Sequence, residues 1–235
     1  MDAKGILITI AVIIVVFLIV RAIFFNDSLT SVEDATKMQT IDPSNLGGGQ
    51  NTSTSNFTYS IWFYVDDWNY RYGEPKVIFG RMNSPTEPQF GAVLGAMKND
   101  LDITVETFAS TMQGQPGTTH TCNVQNIPLQ TWVHLLVSVY GKSLDVYIDG
   151  KLVRTCVLPG VAKVNNNTPV RITPLGGFRG YTANFQFWPN ATNPQEAYNI
   201  YKRGFGGSAL GNLFNKYRIK FVFLVDNQEQ GSFEI

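Results

Sequence analysis

Alternating hydrophobic and polar residues are clearest in the middle of the chain. Valine or leucine stands at every second position of residues 133–139, which predicts a strand with one buried face. Residues 144–148 alternate in the same way after a short turn. The pair Asp149-Gly150 then predicts a type I′ hairpin, because both positions need a positive φ that Asp and Gly tolerate. With a third strand ending near Cys156, this stretch predicts an antiparallel meander on which the rest of the domain packs.

Alternation predicts further strands on both sides of this meander. They cover residues 57–65, 76–81, 90–97, 101–107, 170–173 and 182–188. The first carries aromatic residues on both faces and is predicted to be central and covered twice. The last is predicted to place Ala183, Phe185 and Phe187 on one face. Asn193 as a cap, followed by Pro194, predicts a short helix after this strand.

The N-terminal end of the chain is dominated by one apolar run. It extends from Gly5 to Phe25 and is interrupted by Arg21, directly after Val20. As a helix it would be about 31 Å long at ~1.5 Å per residue, and the hydrocarbon core of a bilayer is roughly 30 Å thick. We therefore predict a retained single-pass membrane anchor in residues 1–25. A cleaved signal peptide and a buried helix are the alternatives, but the residues after the run make a poor cleavage site.

Polar segments flank the predicted domain, which we place at residues 56–204. Residues 26–55 are polar and end in a stretch rich in Gly, Asn, Ser and Thr, which predicts a flexible linker. The alternative is that residues 29–46 lie ordered along a partner surface. The tail, residues 205–235, contains an apolar run at 217–225 that is too short to span a bilayer. It predicts one extra strand, paired either within the chain or with a neighbour.

The charge balance changes this picture by excluding one class of partner. Eighteen basic and eighteen acidic residues give a formal net charge of +0, so no overall field would attract nucleic acid, and we expect no nucleic-acid partner. Charged residues make up only 15% of the chain, aromatic residues make up 13%, and there are 21 glycines. This composition suits an all-β domain with many turns.

The two cysteines flank the central meander. They are too few for a disulfide-rich scaffold or a four-cysteine zinc site. If residues 121–124 form a strand beside residues 152–157, then Cys122 and Cys156 come within bridging distance. Such a disulfide would contribute about 3–4 kcal/mol in the chain-entropy model. Two buried free thiols are the alternative.

The meander also carries a family resemblance. Trp132-x-His134, a hydrophobic strand and then Leu-Asp-Val-Tyr-Ile-Asp-Gly at residues 144–150 resemble the laminin-G-like branch of the concanavalin A-like lectin/glucanase superfamily. Ser60 and Trp62 match the opening strand of that family. The resemblance implies an all-β fold, an antiparallel two-sheet jelly-roll sandwich, here preceded by one N-terminal transmembrane helix. Because this fold hosts lectins, glycosidases and adhesion modules, it leaves the function open.

The loop after the first strand holds the candidate binding residues. Trp68, Tyr70 and Tyr72 are predicted to stack on a sugar, next to Arg71 and several polar side chains. The same residue types are enriched at protein–protein contacts, which is the alternative interpretation. The resemblance also allows a calcium site built from Asp66, Asp67 and loop carbonyls, although no ligand set stands out.

A catalytic site is not evident in the sequence. The nearest match to the paired carboxylates of glycosidases on this fold is Asp100, Asp102 and Glu106, but the spacing departs from the family pattern. A solvated strand face explains the same residues. His120 and His134 are the two histidines, and neither belongs to an evident nucleophile–His–acid arrangement. Because no phosphate-loop, dinucleotide or zinc motif is present, we expect no cofactor and no enzymatic activity.

Anchor, linker and sandwich together predict a membrane-anchored structural or interaction protein. The arrangement resembles minor virion components of large DNA viruses that join the internal membrane to the capsid shell. That resemblance implies a location at the interface of virion membrane and capsid. The expected partners are the lipid bilayer, capsid or other surface proteins, and glycans. A cell-surface carbohydrate-binding or adhesion module is the alternative, and a membrane-tethered glycosidase is the third hypothesis.

Overall fold

The computed structural model of the chain describes residues 13–14, 28–46, 55–82, 88–108, 118–165, 167–205, 220–225 and 228–234. Contacts divide the chain into two compact units. One is the segment Leu29–Lys202, and the other is formed by the terminal segments Met1–Ser28 and Arg203–Ile235. The first unit contains two six-stranded antiparallel sheets, so the predicted two-sheet sandwich is confirmed.

The strands of the two sheets interleave along the chain. In spatial order, the first sheet consists of β1 (Glu33–Asp34), β12 (Arg179–Trp188), β3 (Phe57–Asp67), β8 (Trp132–Tyr140), β9 (Ser143–Ile148) and β10 (Lys151–Val157). The second sheet consists of β2 (Gln39–Ile41), β11 (Val170–Ile172), β4 (Lys76–Met82), β5 (Pro88–Leu94), β6 (Leu101–Thr107) and β7 (Thr118–Val124). The alternating pattern explains the core between them. On β6, for example, Leu101, Ile103 and Val105 are fully buried and the intervening residues are partly exposed.

Strand β3 is central, as its two aromatic faces predicted. It pairs with β12 on one side and with β8 on the other. Phe57, Tyr59, Ile61 and Phe63 belong to the core between the sheets. On the opposite face, helix α1 (Pro194–Lys202) covers part of the sheet. Ala197 and Ile200 of this helix pack against Leu136 and Tyr147.

The sandwich begins earlier than the sequence predicted. Residues 29–46, assigned to the linker, contribute β1, β2 and a short 3-10 helix, Pro43–Leu46. Ala35, Ile41 and Leu46 are buried in the core. The predicted boundary at residue 56 is therefore too late, because strands of two and three residues are too short to show a period of two. Linker residues 47–54 lie outside the described residues.

A bulge in β12 corrects the predicted faces of that strand. The register shifts between Ala183 and Gln186, and Asn184 has a φ of 50°. Ala183 therefore lies opposite Trp62 on the outer face, whereas Phe185 and Phe187 face the core. The extra residue of a bulge reverses the alternation on one side of it, which a simple period of two does not predict.

The hairpin and the disulfide of the central stretch are both confirmed. Asp149 and Gly150 have φ values of 51° and 73°, as a type I′ turn requires. Cys122 and Cys156 form a disulfide with a Cα–Cα distance of 6.1 Å. Because β7 and β10 are edge strands of different sheets, this bond closes one side of the sandwich.

The terminal unit contains one described hairpin. Its strands are β13 (Lys220–Val225) and β14 (Gln228–Glu234), so the predicted tail strand pairs with a segment of the same tail. The predicted anchor, from Gly5 to Phe25 and including Val20 and Arg21, lies outside the described residues except for residues 13–14. Within the part of the chain that the structure describes, no helix is long and apolar enough to cross a membrane.

Candidate functional site

A polar cleft lies at one end of the first sheet, where β1, β3 and β12 meet. Its volume is about 350 Å³. The lining residues are Asp34, Thr36, Asp66, Tyr70, Arg179, Gly180 and Tyr181. The lining residues therefore bring two carboxylates, one guanidinium, three hydroxyls and two aromatic rings to a single depression.

Asp34 is fixed in the cleft by the pairing of β1 with β12. It lies opposite Tyr181, and the next residue, Ala35, donates its N–H to the carbonyl of Gly180 over 2.9 Å. The carboxylate of Asp34 accepts hydrogen bonds from the N–H and the hydroxyl of Thr36, each over 2.8 Å. These two bonds, together with the nearby charges of Lys37 and Arg179, lower the pKa of Asp34. The carboxylate therefore enters the cleft as an ionised acceptor.

Gly180 brings the backbone of β12 unusually close to that of β3. Its φ is 150°, and a Cβ at this position would collide with the carbonyl oxygen of Tyr64. Glycine is therefore required where β12 passes from Arg179 to Tyr181, the two lining residues on either side of it.

The wall of the cleft is tied together by the loop after β3. Tyr70 donates its hydroxyl to the carbonyl of Gly176 over 3.3 Å. The guanidinium of Arg71 donates to the carbonyl of Leu175 and forms an ion pair with Glu74 over 2.6 Å. The loop is thus fastened to the 3-10 turn, Pro174–Gly176, that leads into β12.

The four binding residues predicted from this loop do not converge on the cleft. Only Tyr70 lines it. Trp68 packs against the core, with the ammonium of Lys76 4.6 Å from the centre of its ring. Arg71 donates a hydrogen bond to the adjacent turn. Tyr72 is 60% exposed and does not line the cleft. A role of these four residues in binding stays a prediction.

A row of aromatic residues continues from the cleft across the outer face of the first sheet. Tyr181 lies opposite Tyr64, and Tyr64 lies opposite Trp132, on three adjacent strands. Their ring centres are 6.4 Å and 5.8 Å apart. Tyr181 is 48% exposed, and the other two are partly exposed. We call these three residues the open row. The sequence predicted aromatic residues on both faces of β3, but nothing in it predicted which residues of the other strands lie beside Tyr64.

Two residues further along β3 and β8, a second set of rings lies beneath helix α1, where Trp62 and His134 are buried and Tyr201 is partly exposed. Trp62 lies opposite His134 with their ring centres 5.0 Å apart, and Tyr201 of helix α1 stacks on Trp62 at 5.5 Å. We call these three residues the covered row. Nε2 of His134 is 2.8 Å from the hydroxyl of Ser60, and its Nδ1 has no hydrogen-bond partner among the described residues. Burial lowers the pKa of His134 to about 3, so the ring is neutral at physiological pH.

The carboxylates considered for catalysis are engaged elsewhere. Asp102 accepts a hydrogen bond from the side-chain amide of Asn123 over 2.7 Å, and Glu106 forms an ion pair with Lys163 over 2.8 Å. Four residues apart on one strand, Asp102 and Glu106 have Cα atoms separated by about 13 Å. This is much longer than the roughly 5–5.5 Å between carboxyl groups that retaining hydrolysis requires. Asp100 accepts a longer bond, from the N–H of Asn126 over 3.4 Å.

A calcium site at Asp66 and Asp67 gains no support from the geometry. The carboxylate of Asp67 accepts the N–H of Asn69 over 2.9 Å, whereas Asp66 belongs to the lining of the cleft. Across the described ranges, no three His, Cys, Asp or Glu side chains are grouped so that they could hold a metal ion.

Comparison with protein families identifies the class of the domain. The laminin-G-like model of the concanavalin A-like lectin/glucanases superfamily matches residues 39–197. The chain therefore belongs to this superfamily, as its motifs predicted. The match begins in β2, in agreement with the early start of the sandwich. A comparison with curated protein sequences finds no relative.

Solved structures with a similar fold include receptor-binding domains of botulinum neurotoxins. The domain of the C/D mosaic serotype has a TM-score of 0.56 at 8% identity, covering 76% of this chain and 44% of that one. The neurotoxin DC domain in complex with rat synaptotagmin II has a TM-score of 0.52 at 11% identity, covering 70% and 39%. The same domain in complex with SialylT has a TM-score of 0.51 at 11% identity, covering 66% and 38%. This chain spans about two fifths of those chains, and at such identities the likeness shows the fold alone.

Proposed function

We propose that the sandwich is a non-enzymatic binding module that takes a glycan in the cleft between β1, β3 and β12. The observation that carries the proposal is that Asp34, Asp66, Arg179 and the exposed residue Tyr181 line one depression. Membership of a superfamily that includes lectins supports it, as does the SialylT complex of a structural neighbour.

The lining suits the chemistry of a sugar. A pyranose carries hydroxyl groups that donate and accept hydrogen bonds, and it also has an apolar face of C–H groups. The carboxylates of Asp34 and Asp66 are acceptors, the guanidinium of Arg179 is a donor, and the ring of Tyr181 offers an apolar surface. A few convergent polar groups around a concave site are typical of small-ligand recognition. The carboxylates exceed the guanidinium by one charge, so the lining favours a neutral sugar over a strongly anionic one.

A glycan array probed with the full chain in detergent tests this function. We expect saturable binding by the unaltered protein and a loss of at least tenfold in affinity for Asp34→Asn, because a charged acceptor is replaced by a neutral one. Glu33→Gln is the matched control, since Glu33 precedes Asp34 on β1 but does not line the cleft. Absence of binding to every glycan, or equal binding by both variants, would contradict the proposal. A loss with Tyr72→Ala instead would favour the loop that the sequence indicated.

We further propose that this module is displayed on a membrane by the apolar segment from Gly5 to Phe25. Its support is the length and hydrophobicity of that segment. Extraction of native membranes with alkaline carbonate should leave the protein in the pellet. Recovery of the intact chain in the supernatant would refute the anchor.

A linking role between a virion membrane and a capsid shell is the second candidate function, and strand β10 favours it. This strand is a sheet edge, and Leu152, Val153 and Val157 on it are 48%, 45% and 77% exposed. Exposed apolar residues on an edge strand suit the addition of a strand from another protein. Val157→Lys should then weaken cross-linking to capsid protein in purified particles and leave glycan binding unchanged. Unchanged cross-linking would remove the support that β10 gives to this role.

A further inference from the structure

The cleft and the open row form one continuous surface, because Tyr181 belongs to both. Tyr181 is one of the residues that line the cleft, and the centre of its ring is 6.4 Å from that of Tyr64 at the start of the row. From there the row crosses β3 and ends at Trp132 on β8. A ligand held in the cleft therefore has a path across three strands without leaving the protein surface.

The length of this path exceeds what one sugar ring covers. Neighbouring strands are about 4.8 Å apart, so the row extends roughly 10 Å from β12 to β8. Its far end also offers polar groups, since Gln130 and Thr131, directly before Trp132, are exposed. Gln130 is held in place by its N–H, which donates to the carbonyl of Val65 over 2.9 Å. The surface therefore provides apolar and hydrogen-bonding groups well beyond the cleft.

All three rings of the open row are at least partly exposed, whereas Trp62 and His134 of the covered row are buried. In the covered row, the planes of Trp62 and Tyr201 differ by only 19°, so each ring occupies a face of the other. In the open row the planes differ by 46° between Tyr181 and Tyr64, and by 54° between Tyr64 and Trp132. Two pairs of the covered row are tilted by similar angles, so exposure is what distinguishes the open row: Tyr181 is 48% exposed, and Tyr64 and Trp132 are partly exposed. Exposed aromatic rings are good partners for apolar C–H surfaces.

We propose that the ligand is an oligosaccharide, which places one terminal sugar in the cleft and its following units across Tyr181, Tyr64 and Trp132. This inference rests on the proposed glycan-binding function and deepens it. The carboxylates and Arg179 recognise the hydroxyls of the terminal unit, and the row binds the C–H faces of the next units. Affinity therefore depends on chain length until the ligand reaches Trp132.

The test is a titration of the full chain with saccharides graded from one to six units. The probes are oligomers of glucose, of N-acetylglucosamine and of N-acetyllactosamine. We expect affinity to rise at least tenfold between one and three units for the oligomer that binds, and then to level off. Trp132→Ala should lower the affinity for the longer oligomers about tenfold and leave the single sugar unaffected. Tyr181→Ala should weaken every length, because Tyr181 belongs to both parts of the site.

Tyr140→Ala is the matched control for Trp132→Ala. Tyr140 stands at the other end of β8 and is 69% exposed, so its removal should change neither affinity nor folding. Far-ultraviolet circular dichroism and thermal unfolding verify that each variant is folded. If affinity is the same for all lengths, or if Trp132→Ala equals the unaltered protein, the extended ligand is refuted and the cleft remains. If no saccharide binds at any length, the glycan-binding function itself is refuted, and a protein segment becomes the ligand to test.

Discussion

The covered row and the open row are neighbours on the outer face of the first sheet, yet they differ in their exposure to solvent. Trp62 and Tyr64 are two residues apart on β3, and His134 and Trp132 are two apart on β8. Trp62 is 7% exposed and His134 is fully buried, whereas Tyr181 of the open row is 48% exposed. Both rows take aromatic rings from β3 and β8; Tyr181 of β12 completes the open row, and Tyr201 of helix α1 completes the covered row. The residue types therefore do not decide which row is structural and which can bind a ligand.

The difference comes from helix α1, which lies over one row. Its approach depends on the hairpin turn before β10, where a Cβ at Gly150 would be 2.9 Å from the Cβ of Tyr201. Asp149 supports the same corner, because its carboxylate accepts the N–H of His134 over 2.9 Å. The motif residues that identified the family thus hold the helix against the sheet. The surface for which we propose ligand binding is the part of the sheet that the helix does not cover.

The largest effect should follow from removing the central ring of the covered row. Trp62→Ala should lower the free energy of unfolding by about 3–5 kcal/mol, because it leaves a cavity under Tyr201. Urea denaturation measures this loss. Trp132→Ala is the comparison in the open row, and we expect it to cost ~1 kcal/mol or less. Equal losses in the two variants would contradict the distinction between the rows.

Loss of the disulfide should destabilise the domain but leave ligand binding at the open row unchanged. The Cys122–Cys156 bond closes a loop with a sequence separation of 34, and its removal should cost about 3–4 kcal/mol in the chain-entropy model. Urea denaturation with and without reductant measures the effect. Because the open row lies on β12, β3 and β8, and not on the edge strands β7 and β10 that the disulfide joins, ligand affinity of the folded reduced protein should stay the same. A loss of affinity on reduction would show that the open row depends on the closed edge.

Acid should act on the covered row through His134. Its pKa is about 3 in the folded protein and 6.5 for an ordinary histidine, so the unfolded chain takes up a proton first. The contribution of neutral His134 to the free energy of unfolding is therefore fully present above pH 6.5. It is lost as the pH falls toward 3, by up to about 1.4 kcal/mol per pH unit. His134→Gln should remove this component from denaturation curves measured across that range. Trp132→Ala should retain it, and a slope unchanged by His134→Gln would place the acid sensitivity elsewhere.

The smallest change in stability should come from the exposed end of the open row. Tyr181→Ala should alter the free energy of unfolding by roughly 0.5 kcal/mol or less, because nearly half of the side chain is already in solvent. The same variant should lose glycan affinity, as described above. Thermal unfolding beside titration separates the two quantities. A large loss of stability would mean that Tyr181, although it lies in the open row, has a structural role like the rings of the covered row.

Much of the fold was predictable because its signals are local. The strands of the central meander, the Asp149-Gly150 turn and the helix cap at Asn193 each depend on a few consecutive residues. The cap is confirmed, since the Asn193 side chain accepts the N–H of Glu196 over 2.9 Å. The short strands β1 and β2 were missed, because two or three residues carry no periodic pattern. Because β1 was not predicted, Asp34 was not among the predicted site residues.

The sequence by itself determined the class of fold, the family, the cysteine pair and the apolar N-terminal segment. Hydrophobic period, turn residues and sequence motifs are properties of neighbouring residues, so they can be recognised without knowing how the strands are arranged. Only the tertiary structure decided that Asp34, Tyr181, Tyr64 and Trp132 share one surface while His134 is buried. The register between strands that are distant in the chain is set by packing, by the bulge at Asn184 and by the helix above them. A one-residue shift would exchange the two faces of a strand, so the proposed binding surface exists only when all of these strands are paired in register.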